Sequence, residues 1–207
     1  MAELIPDGAV CCPVRHQALH HPARPAIRLP RRVLTYRELD GRLNSLQQQL
    51  VVAGLRRGDH LVTVAANSLS LLLLAWACLR QGILFCPLNP RQPAARCRQL
   101  MQRLDAKGCW LAPDWPEADA GDWPCPVLTF DPDHSLPAAA AELWLDQQQL
   151  TNLILTSGSS GEPKAVAHRL AAHWASAEGS ALGVPLLPGD GWLLSLPLFH
   201  VGGYAIP

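Results

Sequence analysis

The chain has 207 residues, 49% of them apolar and only 16% charged, with 19 prolines and 15 glycines scattered without a period. This excludes disordered, collagen-like and coiled-coil classes and leaves enough length to bury a core. The zero formal net charge hides an asymmetry: residues 1–103 carry fourteen arginines against five acids, and residues 104–207 three basic residues against twelve acids. These arginines are spread singly, with no stacking aromatics between them, so a nucleic-acid partner is not expected. The split fits an arginine-rich opening and an acidic middle of one body, partly paired with each other.

In chain order, the first element read is a helix over Leu34–Gly54. It starts on a capping box, Thr35-Tyr36-Arg37-Glu38, and Leu39, Leu43, Leu46 and Leu50 recur at helical spacing before Gly54 stops it. Asp59–Ala65 is apolar and β-branched, hence a buried strand. Ser68 can cap a second helix running through Arg80 to Gly82, and Ile83–Leu88 is the next strand, which Pro87 and Pro90 are expected to close. Pro93 suits the first turn of a third helix ending near Leu104, and Cys109–Ala112 is a short strand. This strand–helix–strand rhythm predicts an α/β fold, a mostly parallel sheet covered by helices on both faces.

Residues 113–140 break the rhythm with six prolines and read as an irregular surface excursion containing one strand, Val127–Phe130. A short helix over Ala139–Gln149 and a strand over Asn152–Thr156 follow. The seven cysteines form no Cys-x-x-Cys pair and no zinc spacing with the eight histidines, so they read as reduced, core-type thiols of a cytoplasmic protein. No signal peptide is read, since Glu3 and Asp7 precede the first basic residue, Arg15. The longest apolar run, Leu69–Leu79, is too short to span a bilayer.

The stretch with chemical content is Thr156-Ser157-Gly158-Ser159-Ser160-Gly161-Glu162-Pro163-Lys164. An apolar strand runs straight into residues that are all small, hydroxylated or glycine. Glycine permits close backbone approach, so successive N–H groups can point into one concavity, and the hydroxyls and Lys164 add donors and charge. Those are the requirements for holding a polyphosphate. The spacing is not a Walker A loop, because Glu162-Pro163 separates the last glycine from the lysine. Pro163 and the following Ala165-Val166-Ala167 predict a return strand, making a strand–loop–strand hairpin. The chain uses arginine fifteen times and lysine twice, and one of the two lysines stands here.

Thr156–Lys164 resembles the phosphate loop of the adenylate-forming superfamily, which includes acyl-CoA synthetases, firefly luciferase and the adenylation domains of peptide synthetases. Leu34–Leu39, Leu74–Pro90 and Trp192–Gly203 resemble the first, second and fourth shared regions, in the right order. The resemblance implies the N-terminal part of that fold and an AMP-forming ligase. ATP and Mg²⁺ convert a carboxylate to an acyl-adenylate, and the thiol of CoA then displaces AMP. It also implies that Ser157, Gly158, Ser159, Ser160, Gly161 and Lys164 wrap the phosphates, with Ser160 or Thr156 approaching the metal. Amino-acid-activating members place an aspartate after the phenylalanine of the fourth region; here Phe199 is followed by His200, which favours an acyl or aryl acid. Phe199, His200, Gly202 and Gly203 would line the acid site, with Lys164 and His200 in catalytic roles. His168 and His173 are read as structural.

Trp192–Gly203 is most similar to the 2-succinylbenzoate–CoA ligases of menaquinone biosynthesis; another aryl- or acyl-CoA synthetase, or a non-catalytic remnant of one, stays open as an alternative. The family's later regions supply an adenine-binding loop, an acidic metal ligand, a ribose-binding aspartate and a mobile C-terminal domain with a catalytic lysine. None has a counterpart here. Residues 1–207 are therefore expected to be an incomplete N-terminal domain, inactive alone. The expected partners are small molecules, and the oligomeric state stays open.

Overall fold

The computed structural model describes residues 7–137, 143–156, 162–187 and 189–205. The chain opens with β1 (Ala9–Cys11), α1 (Pro13–His20) and the antiparallel pair β2 (Pro25–Arg28) and β3 (Val33–Thr35). None of these four was singled out in the sequence. Thr35 then caps α2 (Tyr36–Val52) as the capping box predicts: its backbone N–H donates to Glu38 Oε2 at 2.7 Å and its Oγ1 accepts from the Glu38 N–H at 3.3 Å. The Glu38 carboxylate also accepts from Thr35 Oγ1–H at 2.8 Å, and the two bonds it accepts favour its charged form and hold the Glu38 pKa below its ordinary value, the one from the Thr35 backbone most. Leu39, Leu43, Leu46 and Leu50 are all buried, so the leucine stripe is the core face of the helix.

The central sheet is built by β4 (His60–Val64), β5 (Leu84–Leu88), β6 (Gly108–Leu111), β8 (Leu150–Thr156) and β9 (Lys164–Arg169), after the short β7 (Trp144–Asp146). Its order is β6-β4-β5-β8-β9, parallel except for the antiparallel β8–β9 pair at one edge. Helix α3 (Leu69–Gln81) connects β4 to β5, and α4 (Ala94–Arg103) connects β5 back to β6 on the far side of β4. Right-handed crossovers running in opposite directions put α3 and α4 on opposite faces, which gives the covered sheet. Ser68 caps α3 by accepting from the Leu71 N–H at 3.2 Å, and Gly82 ends it in the left-handed region at φ +72°. The chain closes with α5 (Leu170–Gly183) and α6 (Val201–Tyr204).

One charged group is buried with the leucines. Asp40 on α2 accepts from Arg15 Nε of α1 at 2.9 Å and from Arg80 Nη2 of α3 at 2.7 Å, and Arg15 Nη2 reaches Asn44 Oδ1 at 2.7 Å. This triad locks three helices into one orientation. The charge asymmetry of the sequence is also realised as pairing. Arg32 and Arg42 meet Asp133, Arg57 meets Asp146, and Arg96 and Arg103 meet Glu162, in each case an arginine of the first half against an acid of the second.

Three expectations are corrected. Pro87 does not close a strand: it lies within β5, opposite Thr63 of β4. A proline is tolerated there because the ladder to β8 has a single register pair, Phe85 with Asn152. Val127–Phe130 is not a strand but one bridge, Val127 with Cys109, made by the Cys109 N–H to the Pro126 carbonyl and the Leu128 N–H to the Cys109 carbonyl; by Asp131 the backbone donates instead to the Gln49 side chain of α2. The helix expected over Ala139–Gln149 is absent where its residues are described: Trp144–Asp146 is β7, paired antiparallel with β1. Its continuation is a turn in which Asp146 Oδ1 accepts from the Gln148 N–H at 2.8 Å, a local bond that competes with helix. All seven cysteines are free thiols; burial pushes Cys78 and Cys86 well above the ordinary thiol range.

Candidate functional site

Strands β4, β5 and β8 run parallel, so their carboxyl ends share one edge of the sheet, where ligands bind in open α/β sheets. The hydroxylated loop leaves from that edge. Thr156 ends β8 and pairs with Lys164, the first residue of β9, and Thr156 Oγ1 donates to the Lys164 carbonyl at 3.4 Å. The expected strand–loop–strand hairpin is therefore present, with Lys164 at its mouth and exposed. Among the described residues no acid lies within ion-pair distance of Lys164. Ser157, Gly158, Ser159, Ser160 and Gly161 lie outside the described residues. No group of three or more His, Cys, Asp or Glu side chains suited to a metal ion occurs among the described residues.

The second group of predicted residues arrives at the same edge by a route the sequence did not reveal. Asn67, in the turn after β4, donates from Nδ2 to the Leu196 carbonyl at 2.8 Å, and its Oδ1 accepts from the Leu198 N–H at 3.0 Å. One amide thus holds residues 196–198 to the carboxyl end of β4 by a two-point bond that mimics a strand ladder. Phe199 and His200 follow in the turn: their rings lie 4.6 Å apart, His200 exposed, at the N-terminal cap of α6. Gly203 is buried for a steric reason: a Cβ there would run into the carbonyl oxygens of Pro197 and Leu196. Gly202 is exposed and has room for one.

Tyr204 bolts α6 to the sheet. Its ring stacks on Phe85 of β5 at 5.9 Å and meets the His173 ring of α5 at 5.1 Å. Burial pushes the Tyr204 hydroxyl above the usual phenol range. His173 Nε2 lies 3.2 Å from Asn152 Oδ1 of β8. Burial, with the neighbouring His168 second, lowers the His173 pKa to about 4, so at neutral pH its neutral ring donates Nε2–H to the amide oxygen. For His173 the contact is one between neighbouring elements of the fold, α5 and β8. Beside them is a cavity of about 170 Å³, mainly apolar, lined by Leu72 and Trp76 of α3, Trp174 of α5, Leu198 and Tyr204.

A third contribution, also unread in the sequence, comes from α4. Arg96 Nη2 and Arg103 Nη1 both reach Glu162 Oε2, at 3.0 and 2.7 Å, and Arg103 Nη2 donates to the Pro163 carbonyl at 3.3 Å. The described residues leading into Lys164 are therefore held from the opposite side of the sheet order, by the crossover helix. A hint existed in the sequence: Arg96 and Arg103 are seven residues apart, on one helix face.

Residues 14–206 match the family described as AMP-binding enzyme. The chain is 38% identical over 195 residues to the 2-succinylbenzoate–CoA ligase of Salmonella typhimurium, covering 94% of this chain and 41% of that protein. Against the ligase of the same name from Escherichia coli the identity is 36% over 181 residues, covering 87% and 38%. Wild-type E. coli MenE, solved with a phenylether-linked analogue of OSB-AMS, superposes with a TM-score of 0.79 at 31% identity, covering 95% of this chain and 42% of that one. The Bacillus subtilis enzyme, solved with ATP and magnesium ion, shares the fold at a TM-score of 0.79 and 23% identity, covering 95% and 53%. The chain spans about two fifths of the length of the curated relatives it matches. With a family match along nearly its whole length, the chain belongs to the AMP-binding enzymes, the adenylate-forming superfamily.

Proposed function

We propose that this chain supplies the front part of an AMP-forming acid–thiol ligase that activates 2-succinylbenzoate with ATP and passes the acyl group to CoA. Residues 1–207 would be an incomplete N-terminal domain, with 113–140 as a surface excursion. The observation that carries the reading is the hydroxylated Thr156–Lys164 hairpin at the carboxyl edge of the sheet, in a chain 38% identical to a ligase of that name. A carboxylate is a poor electrophile, whereas its mixed anhydride with AMP has a good leaving group. The protein's share of the work is positioning and stabilisation of phosphate charge.

The residues fall into two groups. Ser157, Gly158, Ser159, Ser160 and Gly161 would offer N–H groups and hydroxyls to the β- and γ-phosphates, and Lys164, exposed at the hairpin mouth, would neutralise charge as pyrophosphate leaves. Phe199, His200, Gly202 and Gly203 would line the junction between acid and nucleotide. His200 would contribute a ring donor there, and Gly203 the close backbone approach that sets its direction. Mg²⁺ favours oxygen ligands, and Thr156 offers an exposed hydroxyl beside a loop that holds Ser160, which fits a metal carried mainly by the phosphates. When bound, Mg²⁺ would offset phosphate charge, with Thr156 and Ser160 the residues that would hold it. Such a ligase would act in the cytoplasm on small molecules; among the described residues no helix is long and apolar enough to cross a membrane.

The test is pyrophosphate release dependent on 2-succinylbenzoate by the ligase that carries these residues. Lys164→Ala should lower kcat/KM at least about a hundredfold, the cost of one well-placed electrostatic contact; normal turnover in that variant defeats the loop assignment. A panel of carboxylic acids compared by kcat/KM settles the substrate, and preference for long-chain acids would defeat 2-succinylbenzoate. The isolated 207-residue chain should show no adenylation.

A further inference from the structure

The pairing of α4 with Glu162 goes beyond the family likeness, because Arg96 and Arg103 lie far outside the phosphate-loop motif. Arg96 and Arg103 project from the same face of α4, two turns apart, and converge on one carboxylate oxygen, Glu162 Oε2. Arg103 adds a bond to the Pro163 carbonyl, so the backbone itself is held just before Lys164. The helix that carries them is fixed at its own start, where the Ala94 N–H donates to Glu117 Oε2 at 2.7 Å, and Arg96 is oriented by Gln99 Oε1 at 3.1 Å.

An isolated exposed ion pair contributes little and is screened by salt. Two guanidiniums sharing one carboxylate, with a third bond to the adjacent carbonyl, form a small network whose geometry is over-determined. Its charge is also suggestive. Two arginines and Lys164 against one glutamate leave the hairpin mouth positive, the sign that attracts a polyphosphate.

We propose that Arg96 and Arg103 are positioning residues for nucleotide triphosphate, acting through Glu162 and Pro163 to fix the backbone from which Lys164 reaches the phosphates. This rests on the phosphate-binding reading given above. Positioning and simple field effects predict opposite signs for one substitution. Glu162→Gln removes a negative charge beside the phosphates, so field alone would tighten binding, whereas loss of the clamp weakens it.

The experiment uses the ligase that carries these residues, with two readouts: amide hydrogen exchange of residues 164–166, and titration with MgATP. Glu162→Gln and Arg103→Ala should each speed exchange at 164–166 while leaving the β4 amides unchanged, and each should weaken MgATP binding about fivefold to tenfold. The charge-swapped pair Arg103→Glu with Glu162→Arg should recover exchange protection that neither reversal has alone. Raising salt to about 0.5 M should reproduce part of the single-variant effect in the unaltered chain. Wild-type binding with unchanged exchange and affinity in both single variants overturns the clamp, as does tighter binding by Glu162→Gln. Failure of the unaltered chain to bind MgATP, with exchange changed in the variants, overturns the phosphate-binding reading and the triphosphate role together.

Discussion

Two regions of the molecule use apolar residues in opposite ways. From α2 through β6 the leucines face inward: Leu43, Leu46 and Leu50 are fully buried, as are Leu61, Phe85 and Leu88 of the sheet. From α5 to α6 the composition is equally apolar but the side chains face out, with Leu182 90% exposed and Leu193 81% exposed. In α5 itself only Leu170 is buried. The first region organises itself through helix-to-sheet packing. The second is held at a few points, the Asn67 amide, the buried Leu198 and the rings of Tyr204 and His173, rather than by an extended core of its own.

That contrast predicts a graded series. Asp40→Ala strips the shared carboxylate from Arg15 and Arg80 in the packed region and should cost roughly 3–5 kcal/mol, seen as a fall in the urea midpoint. Leu46→Ala, which leaves a cavity at a fully buried site, should cost about 2–5 kcal/mol by the same measurement. In the point-held region Gly203→Ala should cost about 1–3 kcal/mol, because its Cβ would displace the 196–197 carbonyls. Faster proteolysis within residues 192–203 would be its sign. His173 gives a pH test. Its folded pKa, about 4, is below the ordinary 6.5, so the unfolded chain takes up the proton first and stability falls as pH drops from 6.5 toward 4, with no contribution above 6.5. The loss should reach about 1–2 kcal/mol across that window, and His173→Asn should flatten the Tm–pH profile there. Leu193→Ser, at an exposed site, should change stability by less than about 0.5 kcal/mol; a large loss would mean the second region has a core of its own.

Legibility in the sequence follows the same division. The elements α2, β4, α3, α4 and β6 were readable because local signals agree with the global packing: a capping box, a leucine stripe, and a glycine at the left-handed stop. The short β1 and β7 are not legible, and the residues of β7 read as helix, because three-residue strands exist only through each other and leave no periodic trace. For the site, the hairpin from Thr156 to Lys164 was legible as composition, while the placement of Phe199–Gly203 was not. That placement depends on Asn67, a lone amide in a turn whose sequence resembles any other turn. Glu162 looked like a spacer in the motif and turned out to be the point where α4 takes hold of it.

The Asn67 contact also bears on how the protein is made. It joins residues 129 to 131 positions apart, a long loop closure for so short a chain. Contacts of such separation are slow to form, since the closing entropy precedes any reward. During synthesis at roughly 5–20 residues per second, the amide waits on the order of ten seconds for its partners to emerge. For that interval β4, β5 and their helices have the means to pack, while the turn carrying Phe199–Gly203 has none. The site is therefore a late product of folding, assembled onto a scaffold already in place, and slippage at Asn67 would yield a chain with its body folded and its fourth region astray.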